Sequence, residues 1–177
     1  MAWKQNIIED FKQLVSFDSI SFHERKTADW LLARLKSMGF SVEEDQAGAY
    51  YGGDTGNIFA VLDGELEGEL EGDPVIFCAH MDVVDPGSGK KSVLEKDGTI
   101  HSAGDTVLGA DDISGILEIL YGVQLVLDSG KPHKKIEILF TIGEELYVKG
   151  SDVFDYSKVT AKQAYVLDLS GAVGTAA

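Results

Sequence analysis

The sequence has one cysteine, three prolines and no apolar run long enough to span a bilayer. A single Cys excludes an internal disulfide and suits a reducing compartment. Positive charge is scarce as well: 15 Lys and Arg stand against 30 Asp and Glu, a formal net charge of −15. Such a surface repels nucleic acid and anionic lipid, so neither is expected as a partner. The opening residues Met1-Ala2-Trp3-Lys4-Gln5-Asn6 contain no apolar signal-peptide core. These absences make the cytoplasm the expected location.

What is present is the make-up of a soluble globular protein. At 177 residues with 44% hydrophobic and 25% charged content, the chain suits one domain with a proper core. Apolar residues recur at helical spacing from Trp3 to Val15, from about Glu24 to Met38, and from Asp111 to Leu127. Gly39 follows the second helix as a C-terminal cap. Strands are predicted at Ser41–Glu44, Asn57–Leu62, Val75–Ala79, Lys135–Ile142 and Gln163–Leu169, with a strand or loop around Thr99–Ser102. The acidic near-repeat from Gly64 to Gly72 reads as a solvated loop without chemistry. Strands alternating with amphipathic helices indicate an α/β sandwich with a mostly parallel central sheet. Such sheets bind ligands beyond the carboxyl ends of their strands.

The acids gather at those ends. Glu144 and Glu145 follow the apolar run Ile136–Ile142, although adjacent like charges repel and Glu does not favour a strand end. His80-Met81-Asp82 follows a second run, Asp111-Asp112 opens a helix, and Asp168 ends a third run. A zinc site needs His or carboxylate ligands and an open position, and a carboxylate shared by two ions lets both act on one water and one carbonyl. His80 offers a ring nitrogen, and Asp82 can take the proton on the other nitrogen and fix the tautomer. Asp111, at a helix start, has backbone N–H groups nearby to keep it ionised. One of the two Glu can ligate while its neighbour serves as general base.

Each piece also has a plainer reading. His-x-Asp is common, Asp111-Asp112 taken alone is better read as an N-cap pair, Glu144-Glu145 fits a solvated turn, and Asp168 fits a loop cap. Four such signals at strand ends and a helix start are hard to explain by capping, which favours a metal centre. Cys78 lies inside an apolar strand and reads as core. His23, His101 and His133 lie in polar or turn contexts and read as surface residues.

Four segments also resemble a known family. Phe77-Cys78-Ala79-His80-Met81-Asp82-Val83-Val84, Leu108-Gly109-Ala110-Asp111-Asp112, Gly143-Glu144-Glu145 and Tyr165-Val166-Leu167-Asp168 are similar, in this order, to the metal-site motifs of the peptidase T branch of di-zinc exopeptidases. That family also holds glutamate carboxypeptidase, aminoacylase and succinyl-diaminopimelate desuccinylase. The resemblance implies a three-layer zinc-exopeptidase (phosphorylase/hydrolase-like) sandwich and two zinc ions, with manganese or cobalt as alternatives. It implies that His80 and Asp168 bind one metal, Asp111 bridges, Glu145 binds the other, Glu144 is the general base and Asp82 stands behind His80. A cis peptide between Asp111 and Asp112 belongs to the same pattern.

Two departures stand out. Many relatives carry Lys or Arg and a small residue after the Asp pair, where this chain has Ile113 and Ser114. Relatives are also about twice as long and continue into a lid domain and a final His ligand. The chain is therefore expected to be an N-terminal fragment of the catalytic domain, residues 1–177, inactive alone and self-associating as a homo-oligomer. The expected activity of the parent is removal of a terminal residue from a small peptide. Asp rather than Glu at position 168 favours aminopeptidases and dipeptidases over deacylases. An amidohydrolase acting on N-acyl amino acids is the alternative within enzymes, and a non-catalytic metal-binding or self-associating module is the alternative outside them.

Overall fold

The computed structural model describes residues 2–66 and 72–172. The centre of the expected acidic loop, residues 67–71, lies outside the described residues. Two helices open the chain, α1 (Ala2–Val15) and α2 (Arg25–Ser37), followed by strand β1 (Ser41–Glu44), a short helix α3 (Ala47–Tyr51) and strand β2 (Ile58–Leu62). Next come β3 (Val75–His80), a small hairpin of β4 (Ser92–Leu94) and β5 (Ile100–Ser102), and the long helix α4 (Ala110–Asp128). Strand β6 (Ile136–Thr141), helix α5 (Lys149–Val153) and strand β7 (Gln163–Val166) complete the order.

Five strands form one sheet in the order β1-β2-β6-β3-β7. β6, β3 and β7 run parallel, whereas β2 pairs antiparallel with β6 and β1 antiparallel with β2. The sheet is thus mixed: the expected parallel arrangement holds for the three strands that carry the site, and an antiparallel pair extends it on one side. The three parallel strands end on the same edge, at His80, Thr141 and Val166. That shared edge lets residues far apart in sequence meet.

The helical periodicities are those of burial. Ala28, Leu31 and Leu35 of α2, and Ile113, Ile116, Leu117, Ile119, Leu120 and Val123 of α4, join Ile58, Ala60, Ile138 and Phe140 in the main core. The opposite face of the sheet has a smaller cluster, Phe59, Ile76, Leu139 and Phe154, under the segment that follows α5. Cys78 is partly buried beside it, and burial raises its thiol pKa to about 11, in keeping with a packing role. β7 is an edge strand, and Tyr165 and Val166 on it are 50% and 64% exposed.

Two buried polar residues connect these layers. Glu137, fully buried in the largely apolar β6, accepts hydrogen bonds from the Thr160 and Ala161 amides at 3.1 Å, with Lys135 Nζ at 3.3 Å. Asn57 donates through Nδ2 to the Gly150 carbonyl (2.9 Å) and to Asp45 (2.7 Å), and accepts the Ile142 amide at 3.1 Å. Asn57 therefore fixes where the chain leaves β6 and where α5 begins. Asn57→Leu strands a buried donor and a buried acceptor, at roughly 1–3 kcal/mol each. Denaturant titration is expected to show a loss of about 2–4 kcal/mol in unfolding free energy. A loss below about 0.5 kcal/mol, the size of an ordinary surface change, would remove Asn57 from this role.

Candidate metal centre

His80 is the last residue of β3 and only 2% exposed. Its Nδ1 lies 2.9 Å from the Asp82 carbonyl oxygen and 3.4 Å from the Asp82 carboxylate. Both are acceptors, the carbonyl being the closer, so in the neutral ring Nδ1 carries the proton and the outward-facing Nε2 keeps the free lone pair. Nε2 is 3.2 Å from Asp111 Oδ1 and 4.0 Å from Glu144 Oε2. Ligand atoms of His80, Asp111 and Asp168 all lie within 4.8 Å of one another. Three of the four expected ligands are thus brought together. The fourth, Glu145, sits on the same turn as Glu144 and feels the charges of His80 and Asp111, but it is not among this group.

The buried carboxylate of Asp82 organises the turn beside His80. Its Oδ1 accepts the Glu144 amide at 2.9 Å, and its Oδ2 accepts the Glu145 amide at 3.1 Å and the Ser21 hydroxyl at 2.6 Å. Burial works against its charge, yet the bonds with His80, Ser21 and the Glu144 amide hold its pKa below the usual carboxylate range. The Glu pair stands on a single 3-10 turn, Glu144–Leu146, entered through Gly143 at φ 58° and left through Tyr147 at φ 66° and Val148 at φ 52°. Left-handed Tyr and Val are uncommon. Backbone bonds from Val148 to Glu144 (2.8 Å), Lys149 to Gly143 (3.0 Å) and Gly150 to Ile142 (2.9 Å) hold the chain in that shape.

The Asp pair divides its work differently from the sequence expectation. Asp111, expected to face the amides of a helix start, has non-helical backbone angles and directs a 71% exposed side chain at His80. Asp112 takes the helix-start role instead. It is buried, and its carboxylate accepts the Gly115 amide at 3.1 Å and the His80 amide at 3.3 Å. The peptide bond between the two is cis, as the resemblance implies. A side chain at Gly115 would place Cβ 2.2 Å from Asp112 Oδ1 and 2.4 Å from the Leu167 carbonyl, so this close approach of α4 requires glycine.

Crowded carboxylates shift one another's titration at this site. Burial raises the Glu144 pKa, and Asp168, Asp82 and Asp111 add to the rise against the opposing pull of His80. Burial and the neighbouring acids raise Glu145 and Asp168 in the same way. Asp112 is pushed up to about 7, chiefly by burial. For His80, burial disfavours the charged ring, but the Asp82 hydrogen bond and the charges of Asp82, Asp112 and Glu144 outweigh it and bring the pKa to about 10. One imidazolium thus stands among several carboxylates. A donor set of one imidazole and several carboxylates could hold a metal ion.

His23, His101 and His133 take no part in this cluster. His101 pairs with Glu95 at 2.8 Å on the exposed hairpin, and His23 lies 3.8 Å from Asp54 with a largely exposed side chain. Ser21, Glu24 and Asn57 are site-supporting residues not anticipated from the sequence. The spacing Ser21-Phe22-His23-Glu24 has the form of a local helix-capping pattern, which hides its long-range bonds.

The fold and the donor set define an α/β domain of the zinc-exopeptidase type. The chain belongs to peptidase family M28, whose model matches residues 57–175, and to the peptidase T-like branch of the wider M20/M28 di-zinc exopeptidases. The protein YqjE of Bacillus subtilis (strain 168) is 33% identical over 174 residues, covering 98% of this chain and 46% of YqjE. The aminopeptidase PepT of Bacillus cereus ATCC 10987 superposes with a TM-score of 0.89 at 35% identity, over 96% of this chain and 44% of PepT. A tripeptidase of Staphylococcus aureus subsp. aureus mu50 gives 0.87 at 28% identity, over 94% and 44%. The chain therefore spans a little under half the length of each of these proteins.

In the metal-free protein, His80 is expected to remain protonated until about pH 10. Since that value is above the unfolded 6.5, its contribution to stability is complete below pH 6.5 and lost as pH rises through 10. Nitrogen-detected NMR of the imidazole measures this directly. A ring titrating near 6.5 would show that the acids do not surround it.

Proposed function

We propose that this chain is the N-terminal part of the catalytic domain of a di-zinc exopeptidase that removes a terminal residue from small peptides. The observation that carries the reading is the convergence of His80, Asp111 and Asp168 within 4.8 Å, with Glu144 4.0 Å from His80. The peptidase family and the aminopeptidase and tripeptidase likenesses support the substrate class. His80 and Asp168 would hold one ion, Asp111 would bridge, and Glu145 would hold the second together with a His from the remainder of the protein. Zinc, or manganese or cobalt in its place, would supply Lewis acidity toward the scissile carbonyl.

The chain's own residues do the rest. Glu144 takes a proton from the attacking water and returns it to the departing amine, a task that its raised pKa favours. Asp82 keeps the His80 ring in one tautomer and, by accepting both Glu amides, sets Glu144 at its distance from that ring. Asp112 holds the His80 backbone and the first turn of α4 in register. The cytoplasm suits a peptidase of small peptides, and no described helix is long and apolar enough to cross a membrane.

Glu144→Gln in the full-length protein is expected to lower kcat by about 10²–10⁴-fold, the range of a lost acid–base group, while metal content stays unchanged. Parallel loss of metal and activity would reverse the roles of Glu144 and Glu145. Asp111→Asn is expected to reduce the metal count from two toward one or none, because repulsion between the ions is no longer offset. An unchanged count by elemental analysis would exclude Asp111 from the bridge.

A further inference from the structure

The connection between α1 and α2 runs across the back of the site and touches both of its halves. On the His80 side, the Val83 amide donates to the Ser19 carbonyl at 2.9 Å, and Ser21 bonds Asp82. On the Glu144 side, the contact is made by Glu24. Its Oε1 accepts the Gly143 amide at 3.0 Å and the Phe22 amide at 2.9 Å. Gly143 immediately precedes the turn that carries Glu144 and Glu145.

Glu24 is fully buried, and among the described residues its Oε2 has no hydrogen-bond partner. A buried carboxyl without a cation is costly, so its presence requires a use. Helix capping is not that use: Glu24 occupies the N-cap position of α2 but makes no side-chain cap bond there. Phe22 reinforces the same turn. Its left-handed backbone (φ 72°) is held by the Asp54 amide on its carbonyl at 3.0 Å, and its ring stacks on Tyr51 with centroids 5.3 Å apart. A Cβ at Gly143 would lie 2.7 Å from Phe22 Cε1, so the ring closes against the turn with no space to spare.

We propose that Glu24 is a positioning residue for Glu144: by accepting the Gly143 amide it fixes one end of the turn whose next two amides are fixed by Asp82. The turn is then held by three successive backbone N–H groups on two buried carboxyls from different parts of the chain. The base cannot swing on its own backbone, and its distance from His80 is set. This rests on the reading of Glu144 as the general base.

The test compares Glu24→Leu and Glu24→Gln in the full-length, zinc-loaded protein, with a tripeptide as substrate. Leu keeps the approximate volume and removes both acceptors, whereas Gln keeps a carbonyl oxygen for the two amides. Misplacement of a reacting group by about 1 Å costs about 10²-fold, so Leu is expected to lower kcat by that order at nearly constant KM. Deuterium uptake is expected to rise in the peptide spanning residues 142–147. Gln is expected to restore most of kcat and the protection. If Leu lowers only the melting temperature, with kcat per folded molecule and uptake at the turn unchanged, Glu24 is structural and the proposal is overturned. If the wild type cleaves no peptide, the peptidase reading fails by itself, and the uptake comparison still decides whether Glu24 holds the turn.

Discussion

The site depends on one buried carboxylate. Asp82 is fully buried, yet it is held charged by the ring of His80, the hydroxyl of Ser21 and the amides of Glu144 and Glu145. Without it, His80 Nδ1 loses one of its two acceptors, and the Glu pair loses the anchor of its turn. A desolvated charge is tolerable only when its hydrogen bonds are made in full. Those four partners come from the α1–α2 connection, the end of β3 and the end of β6, so satisfying Asp82 requires the site to be assembled.

The sheet makes that assembly possible. Three parallel strands finish on one edge, and the cluster forms from residues at or just past the ends of β3, β6 and β7 together with the start of α4. Buried polar residues then fix the exits of the chain. Asn57 sets the path after β6, and Asp112 ties α4 to His80. Apolar burial gives the layers their stability, but it does not determine angles at strand ends. Hydrogen bonds at these exits do.

The periodic part of the fold was legible because burial leaves periodic traces. The apolar positions of α2 and α4 and the runs that became β3 and β6 carry their spacing openly. The reversed direction of β2, which makes its pairings with β1 and β6 antiparallel, is not legible, since alternation and propensity do not encode strand direction. The short helix α3 was missed because Ala47–Tyr51 is too brief for a helical period to show. At the site, His80, Asp111, Asp168 and Glu144 stand out because a His and several acids gathered at strand ends and a helix start are hard to explain by capping. Asp111 and Asp112 could not be told apart in role, because their division depends on backbone angles that leave helical values at both residues. Glu24 was hidden for another reason. Its partner amide at Gly143 is 119 residues away, while its local spacing resembles ordinary capping.

His80, Asp111 and Asp168 are proposed to hold a divalent ion. Anomalous diffraction at the zinc edge, on crystals of the full-length protein grown with zinc, tests it most directly. A peak is expected about 2.0–2.2 Å from His80 Nε2 and from a carboxylate oxygen of each Asp. A zinc-loaded crystal with its peak elsewhere, or with these three side chains turned apart, would contradict it.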